Sequence, residues 1–407
     1  MQTIKLYDQD AYLREFEAQI TACEQTENGY RLQLDRTAFF PEEGGQTADQ
    51  GYIVIEGSKM KIPIADVQIQ KDEATGEEQI IHLITEVPET VKLANGMNIK
   101  GEIDWAHRFS NMQQHTGEHI FSGIMNRDYG FENVGFHLSD QIVTMDFDGI
   151  LTQEQLDRAE DEVNAAIAAN VPVTAYYPTP EELRNLSYRS KKEIDGDIRI
   201  VTVEGYDICA CCAPHVSRTG EIGGFKIMNM QSHRGGMRIS FLCGKRALYA
   251  FREQMNILNE LVELMSTNAH QIADNITKLK NELSATKGQL GDANRKLLLQ
   301  QIEEVPDGQT NVILFTEGIE GKALRDTVNL MMERHDGVAA LFSRSKDGYR
   351  FIIGSKTVDC REVAKQMKEQ IGAQGGGSPQ MVQGSVQAKE AQIRDLLEHF
   401  GEKQESE

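Results

Sequence analysis

Long apolar runs are missing from this chain. No stretch of ~18 apolar residues occurs, so no membrane span is expected. The opening residues MQTIKLYDQDAYLREF carry acids and no apolar run, which argues against a secretory leader. Basic charge is also scarce, with 42 Lys and Arg against 63 Asp and Glu and a formal net charge of −21. That balance speaks against promiscuous binding to phosphate backbones, and any nucleic-acid partner must meet a local basic face, as one compact RNA could. Cysteines number six, and three of them crowd into Cys209, Cys211 and Cys212, unlike a secreted disulfide framework. A reducing, cytoplasmic setting fits this usage. No glycine run ends in Lys-Ser/Thr as a P-loop does, and no Asp-His-His run or similar carboxylate cluster supports a phosphoesterase.

What is present spans several units, since 407 residues suggest two to four domains. Residues 1–95 alternate apolar and polar positions in short runs such as YRLQLD, GYIVIEG and QIIHLIT, which predicts a β-rich, barrel-like domain. Inside it TAFFPEEGGQTADQG breaks the alternation, and Gly44 and Gly45 there allow positive φ or close approach to a ligand. A plain hairpin loop is the competing explanation. Residues 96–246 mix a helical stripe from Trp105 to about Met125, a strand pair in HLSDQIVTMDFD, an amphipathic helix over Leu151–Ala169, and four further strands. Residues 247–304 carry apolar positions in steps of seven from Leu248 to Leu297, a heptad signal that weakens after Leu283. A continuous helix of ~50 residues would be about 75 Å long. Gly288 and Gly291 offer the alternative of a helical hairpin folded near that point. Either form is a helical arm, and a homodimer through it or through the C-terminal domain is expected. Residues 305–407 return to alternating strands and helices around the glycine-rich loop GAQGGGSPQMVQGS, and the tail GEKQESE is expected to fray. The fold class expected is thus α+β and multidomain, ending in an α/β domain.

Two stretches carry the chemistry. In NMQQHTGEHIF, His115 and His119 stand four apart, so a helix places both imidazoles on one face. In CACCAPHVSRTGEIGG, Cys211 and His215 are again four apart. Either pair alone is weak evidence, but together they supply four ligands of the kind zinc prefers. Cys209 and Cys212 form a Cys-x-x-Cys that could instead bind metal or be redox active. Glu118 is misplaced for a His-Glu-x-x-His protease, and a solvated or outer carboxylate is expected. Four protein ligands usually close a structural zinc site, whereas a catalytic one keeps a position open. Basic residues gather around this region: Arg184, Arg189, Lys191 and Lys192 before it, then Arg234, Arg238, Lys245 and Arg246 after it. An RNA backbone would be placed there.

The motifs FFPEEGGQTADQG, NMQQHTGEHI, CCAPHVSRTGEIGGFKI and GMRISFLCGKRAL, in that order, resemble the editing domain of alanyl-tRNA synthetase. They resemble the free-standing alanyl-tRNA editing proteins more closely, and the C-terminal domain is similar to the one that ends those synthetases. Because the chain starts directly with this region, the resemblance implies the long, trans-acting form. It implies hydrolysis of the ester that joins serine or glycine wrongly to alanine tRNA, with Zn2+ held by His115, His119, Cys211 and His215. It further implies Thr37 and Gln46 as the candidate catalytic-pocket residues, Thr37 distinguishing serine, with Gly44, Gly45, Arg234 and Arg238 toward the tRNA. One departure stands out. The family commonly has Cys-Gly-Gly-Thr-His, where this chain has Cys211-Cys212-Ala213-Pro214-His215, a stiffer loop that lacks a hydroxyl. A non-catalytic, zinc-containing RNA-binding module is the alternative from another class.

Overall fold

The computed structural model describes residues 3–27, 29–71, 76, 78–85, 87, 91–190, 197–306, 309–398 and 400. Lys191, Lys192 and the tail 401–407 lie outside them. The chain divides into two compact units, Met1–Leu258 and Asn259–Glu407. Among the described residues no helix is long and apolar enough to cross a membrane. The architecture is mixed α/β and multidomain.

The first unit begins with a seven-stranded sheet, antiparallel throughout. Its order is Lys61–Ile64, Gly51–Ile55, Asn98–Ile103, Glu15–Thr26, Gly29–Leu34, Glu78–Ile84, Asp66–Lys71. The period-two pattern does what it should: Phe16, Ala18 and Ile20 point inward from Glu15–Thr26 while their neighbours face out. The two edge strands are consecutive in sequence, joined by Ala65, whose N–H donates to the Leu83 carbonyl at 2.8 Å. The sheet therefore bends round a core that includes Phe39, Phe40, Leu32 and Ile53.

One buried polar bridge crosses that core. His82, on Glu78–Ile84, has Nδ1 3.3 Å from the Leu32 carbonyl and Nε2 2.9 Å from the Thr37 hydroxyl. Burial pushes its pKa down to about 4.

The helix Trp105–Tyr129 follows, four residues longer than the stripe predicts. Asp104 caps it by accepting from the Ala106 and His107 N–H groups, and Gly130 at φ 66° ends it. Every residue from Asn111 to Met125 is buried, polar ones included. An amphipathic stripe was expected. The helix is instead enclosed, by the segment 37–49, by the helix Gln153–Ala169 and by two further sheets. These are the four-stranded order Asn133–Leu138, Val143–Phe147, Gly236–Cys243, Phe225–His233 and the three-stranded order Val173–Tyr176, Ile200–Val203, Asp207–Ala210. Gly117 permits this approach, since a Cβ there would stand 2.5 Å from the Cys243 sulfur. The helix Gln153–Ala169 covers the same core behind a Thr152/Gln155 capping box.

The arm differs from both forms expected. It consists of the helices Gly244–Leu264 and Ile272–Glu304, and the break falls at 265–271 and not at the glycines. Gly288 and Gly291 lie inside the second helix, where a glycine costs only about 1 kcal/mol. Ser266, Thr267 and Asn268 interrupt the first, Ser266 adopting φ 46°, and the side chains of Thr267 and Asn268 both bond Gln271. Short polar side chains that bond locally compete with helix. Toward its end the second helix departs from the heptad, with Leu298 and Ile302 buried and Leu297 exposed.

The second unit carries a five-stranded sheet in the order Val312–Glu317, Ala339–Ser345, Gly348–Gly354, Met381–Val386, Gln374–Ser378, the first pair parallel and the rest antiparallel. The expected glycine loop is an edge hairpin, Gln374–Ser378 against Met381–Val386.

Two stability tests follow from the first unit. Arg108, with 0 % exposure, bonds Asp49, also fully desolvated. Replacing Arg108 by Met strands a buried carboxylate and should cost about 3–5 kcal/mol in urea unfolding, of which the Arg108→Met/Asp49→Leu double variant recovers part. His82 supplies the pH dependence. Its folded pKa is depressed, so between about 6.5 and about 4 the unfolded chain binds the extra proton. The stability is present above 6.5 and falls by about 3 kcal/mol as pH drops toward 4. His82→Gln should flatten that limb of the stability–pH curve.

Candidate metal centre

Three segments from different layers meet at one point. The first is the Glu43–Gln46 turn, closed by mutual backbone bonds of 3.2 and 3.0 Å between its end residues. Gly44 and Gly45 have φ of 62° and 85°, both left-handed, as a type I′ turn requires. A Cβ on Gly45 would stand 2.3 Å from the Phe136 carbonyl, so the turn can lie directly on the end of the Asn133–Leu138 strand. This fixes Gln46, whose Oε1 reaches His115 Nδ1 at 2.8 Å.

The second segment is the enclosed helix, which turns His115 and His119 the same way, ring centroids 5.5 Å apart. The third is the loop after Asp207–Ala210. Arg199 pins it by donating from Nη1 to the Cys211 and Ala213 carbonyls at 3.0 and 2.9 Å. Ala213 packs into the core of the N-terminal sheet.

The ligand atoms of His115, His119, Cys211 and His215 all lie within 4.8 Å of one another. Cys211 Sγ is 3.5 Å from His115 Nε2 and 3.4 Å from His215 Nε2. Four-coordinate zinc with ordinary Zn–N and Zn–S lengths has an N···S edge of roughly 3.5 Å.

Each imidazole is oriented from behind. His119 Nδ1 faces Asp207 Oδ2 at 2.9 Å, and a carboxylate only accepts, so this nitrogen carries hydrogen. Thr116 spends its hydroxyl hydrogen on the Met112 carbonyl at 2.8 Å and therefore accepts from His215 Nδ1 at 3.0 Å. Gln46 accepts from His115 in the same way. All three Nε2 atoms are left to face the Cys211 sulfur. Outer partners of this kind orient the histidines of metal sites.

The charges agree. Burial opposes a thiolate at Cys211, yet His115 and His215 hold its pKa well below the ordinary value. Burial likewise works against charge on His119, but Asp207 and then Cys211 hold it up at about 9. Burial, then the neighbouring His119, pushes His215 down to about 3. A thiolate facing an imidazolium is an arrangement in which a divalent cation can displace the proton. Cys209 and Cys212 behave oppositely, burial pushing both thiols up. Of the three neighbouring cysteines, Cys211 alone has its pKa lowered, while Cys209 stands in a second possible ligand group with His119 and Asp207.

The other residues singled out in the sequence are not among these four ligands. Thr37 belongs to the His82 bridge. Arg189 forks onto Asp207 at 2.7 and 2.9 Å and so supports His119 from inside. Arg246 donates to Ser110, Ser139 and Asn111, and Arg238 to Asp146. Arg234 sits at φ 47° in the turn between Phe225–His233 and Gly236–Cys243, and Arg184 is exposed. Glu118 is buried, not solvated, and accepts from Ser122 and Asn133 at 2.6 Å each. Asp207 lies outside the sequence motifs, Thr116 lies inside NMQQHTGEHIF without standing out there, and Arg189 counts in the sequence only as one basic residue among several. Asp207 and Cys209 alternate on one strand just before Cys211, and that period-two spacing is the signal that could have found the carboxylate.

Residues 198–239 match the threonyl and alanyl tRNA synthetase second additional domain, residues 5–107 match the tRNA synthetases class II (A) family, and residues 308–405 match the DHHA1 domain. The alanyl-tRNA editing protein AlaX-L of Pyrococcus horikoshii is 28 % identical over 96 % of both chains. The alanyl-tRNA editing protein Aarsd1 of Danio rerio is 24 % identical over 95 % of both. The alanine–tRNA ligase of Ignicoccus hospitalis is 27 % identical over 92 % of this chain, which spans 40 % of that enzyme. The chain is thus similar to the alanyl-tRNA editing proteins along nearly its whole length, and to part of the alanine–tRNA ligases.

Proposed function

We propose that the protein is a zinc-dependent hydrolase that deacylates mischarged alanine tRNA in the cytoplasm, acting on Ser-tRNA(Ala) and Gly-tRNA(Ala). The observation that carries this is the convergence of three outward-anchored imidazoles and one thiolate-prone cysteine, in a chain similar to alanyl-tRNA editing proteins. His115, His119, Cys211 and His215 would hold the metal. Bound there, zinc would supply a Lewis acid that polarises an ester carbonyl.

The chain's own groups do the rest. Gln46 ties His115 through Oε1, and its buried Nε2 has no partner among the described residues. That amide is a ready donor to the carbonyl oxygen as negative charge gathers on it. Asp207 and Thr116 hold His119 and His215 in the tautomer that leaves Nε2 inward. In the net reaction water adds to the ester carbon, the bond to the ribose oxygen breaks, and that oxygen leaves with a proton. Aminoacyl esters are activated already, so positioning supplies much of the rate. Thr37 supplies the hydroxyl that tells serine from alanine, since a pocket built to bond a hydroxyl rejects a substrate that lacks one. Gly44 and Gly45 let the acceptor end approach the backbone, and Arg234 and Arg238 face the tRNA.

In this reading 1–95 and 96–246 form the editing body, 247–304 the arm and 305–407 the C-terminal α/β domain. The exposed Leu279, Leu283 and Leu290 are where two copies would associate. The four-donor count favours a second reading, a structural zinc in a non-catalytic RNA-binding module.

Deacylation of Ser-tRNA(Ala) should run on the order of 100-fold faster than that of Ala-tRNA(Ala). Equal rates, or none, would refute the hydrolase. His115→Ala should melt near the parent temperature yet lose activity, whereas a structural zinc predicts an unfolded variant. Asp207→Asn should weaken zinc by about 10–100-fold in chelator competition, with donor residues intact.

A further inference from the structure

The His82–Thr37 bridge has no part in holding the metal, and it sits where an imidazole is expensive to place. His82 is fully enclosed on a strand paired on both sides, to Leu32 and to Val67. The Phe39 ring stands edge-on to it, centroids 5.9 Å apart. The Leu32 carbonyl can only accept, so His82 Nδ1 carries the ring hydrogen at that 3.3 Å contact. A buried imidazole stays neutral, and Nε2 is then a bare acceptor. Thr37 must therefore donate its hydroxyl hydrogen to His82 across 2.9 Å. The same oxygen accepts the Phe39 N–H at 3.1 Å. A hydroxyl offers one donor and two acceptor positions, so a single lone pair remains for a ligand.

Without His82 the Thr37 hydroxyl would turn freely and offer a hydrogen as readily as a lone pair. With it, the oxygen can only accept. A serine hydroxyl brings the hydrogen that such an oxygen requires, whereas the side chains of glycine and alanine bring none. We infer that His82 is the positioning residue that fixes Thr37 as an acceptor, and thereby sets the preference for an aminoacyl group bearing a side-chain hydroxyl. The inference rests on the deacylase reading above.

Two measurements on the full-length protein test it. In the first, 15N-labelled histidine NMR should find His82 as the neutral Nδ1–H form, with its Nε2 resonance shifting in Thr37→Val. A hydrogen on Nε2 would overturn the inference irrespective of any activity. In the second, Ser-tRNA(Ala) and Gly-tRNA(Ala) are deacylated in single turnover by the parent, His82→Leu, His82→Gln and Thr37→Val/His82→Leu. The Ser:Gly rate ratio should fall about tenfold in His82→Leu, which lacks an acceptor. His82→Gln, whose amide oxygen reaches toward the Nε2 position, should keep most of the ratio. The double variant should lose little beyond His82→Leu. If His82→Leu lowers both rates together, or leaves the ratio unchanged, His82 only supports the fold. A parent inactive on both esters would sink the deacylase reading itself and this inference with it.

Discussion

A guanidinium taken wholly out of water holds the first unit together. Arg108 lies on the histidine helix and donates to Asp49, to the Ala11 carbonyl and to the Ala38 carbonyl, while Asp49 also accepts the Phe40 N–H. Those partners bracket the segment 37–49, which carries Thr37 at one end and the Gly44–Gly45 turn near the other. A buried charge tolerates few arrangements, because each displaced partner leaves an ion without solvent. The pair therefore sets the placement of the turn on the helix, and Gln46 meets His115 only if that placement is correct. A hydrophobic contact of similar area would hold the layers with less directional control.

The same demand for partners governs the helix itself. From Asn111 to Met125 it is enclosed, so its polar side chains must find partners inside the protein. Gln114 bonds the backbone of Cys243 in both directions, as donor at 3.1 Å and acceptor at 2.6 Å. Asn111 accepts from Arg246, and Thr116 serves Met112, His215 and Val216 at once. These contacts fix the helix about its own axis. An amphipathic helix held only by an apolar stripe can rotate by some degrees at little cost, and two metal ligands on one face would move with it. Enclosure by polar contacts removes that freedom.

This explains which parts of the centre were legible in the chain. His115 and His119 stand out because helical periodicity alone puts them on one face, and Cys211 and His215 because the residue types are scarce and close together. Asp207, Thr116 and Arg189 are common residues whose meaning comes from long-range packing: Asp207 meets His119 across 88 positions and Thr116 meets His215 across 99. No local pattern encodes the meeting of Thr116 with His215, and for Asp207 the alternation with Cys209 says which way the side chain points but not what it meets. The arm shows the converse. The heptad from Leu248 to Leu297 is real as a pattern, but Ser266-Thr267-Asn268 stops the helix where the apolar period continues. Backbone competition by three short polar residues outweighs a stripe that has little to pack against, with Met255, Leu279 and Leu283 all exposed.

Glu118 stands between two of the cluster's residues in HTGEH, misplaced for a protease base, and of the two expectations for it, solvated or outer carboxylate, burial leaves the second. Its Oε1 is taken by Ser122 and Asn133 at 2.6 Å each, and Asn133 begins the strand that carries Phe136. Phe136 in turn lies against His115, ring centroids 4.8 Å apart, and its carbonyl meets the Gly45 position. The carboxylate thus ties the helix to the strand on which the Glu43–Gln46 turn rests. If Glu118 became an amide, its oxygen could still accept from Ser122 or Asn133, but with the weaker pull of a neutral group. These two bonds hold that strand against the helix, and through it a floor beneath both His115 and Gln46. The glutamate shapes the centre by holding its floor in place.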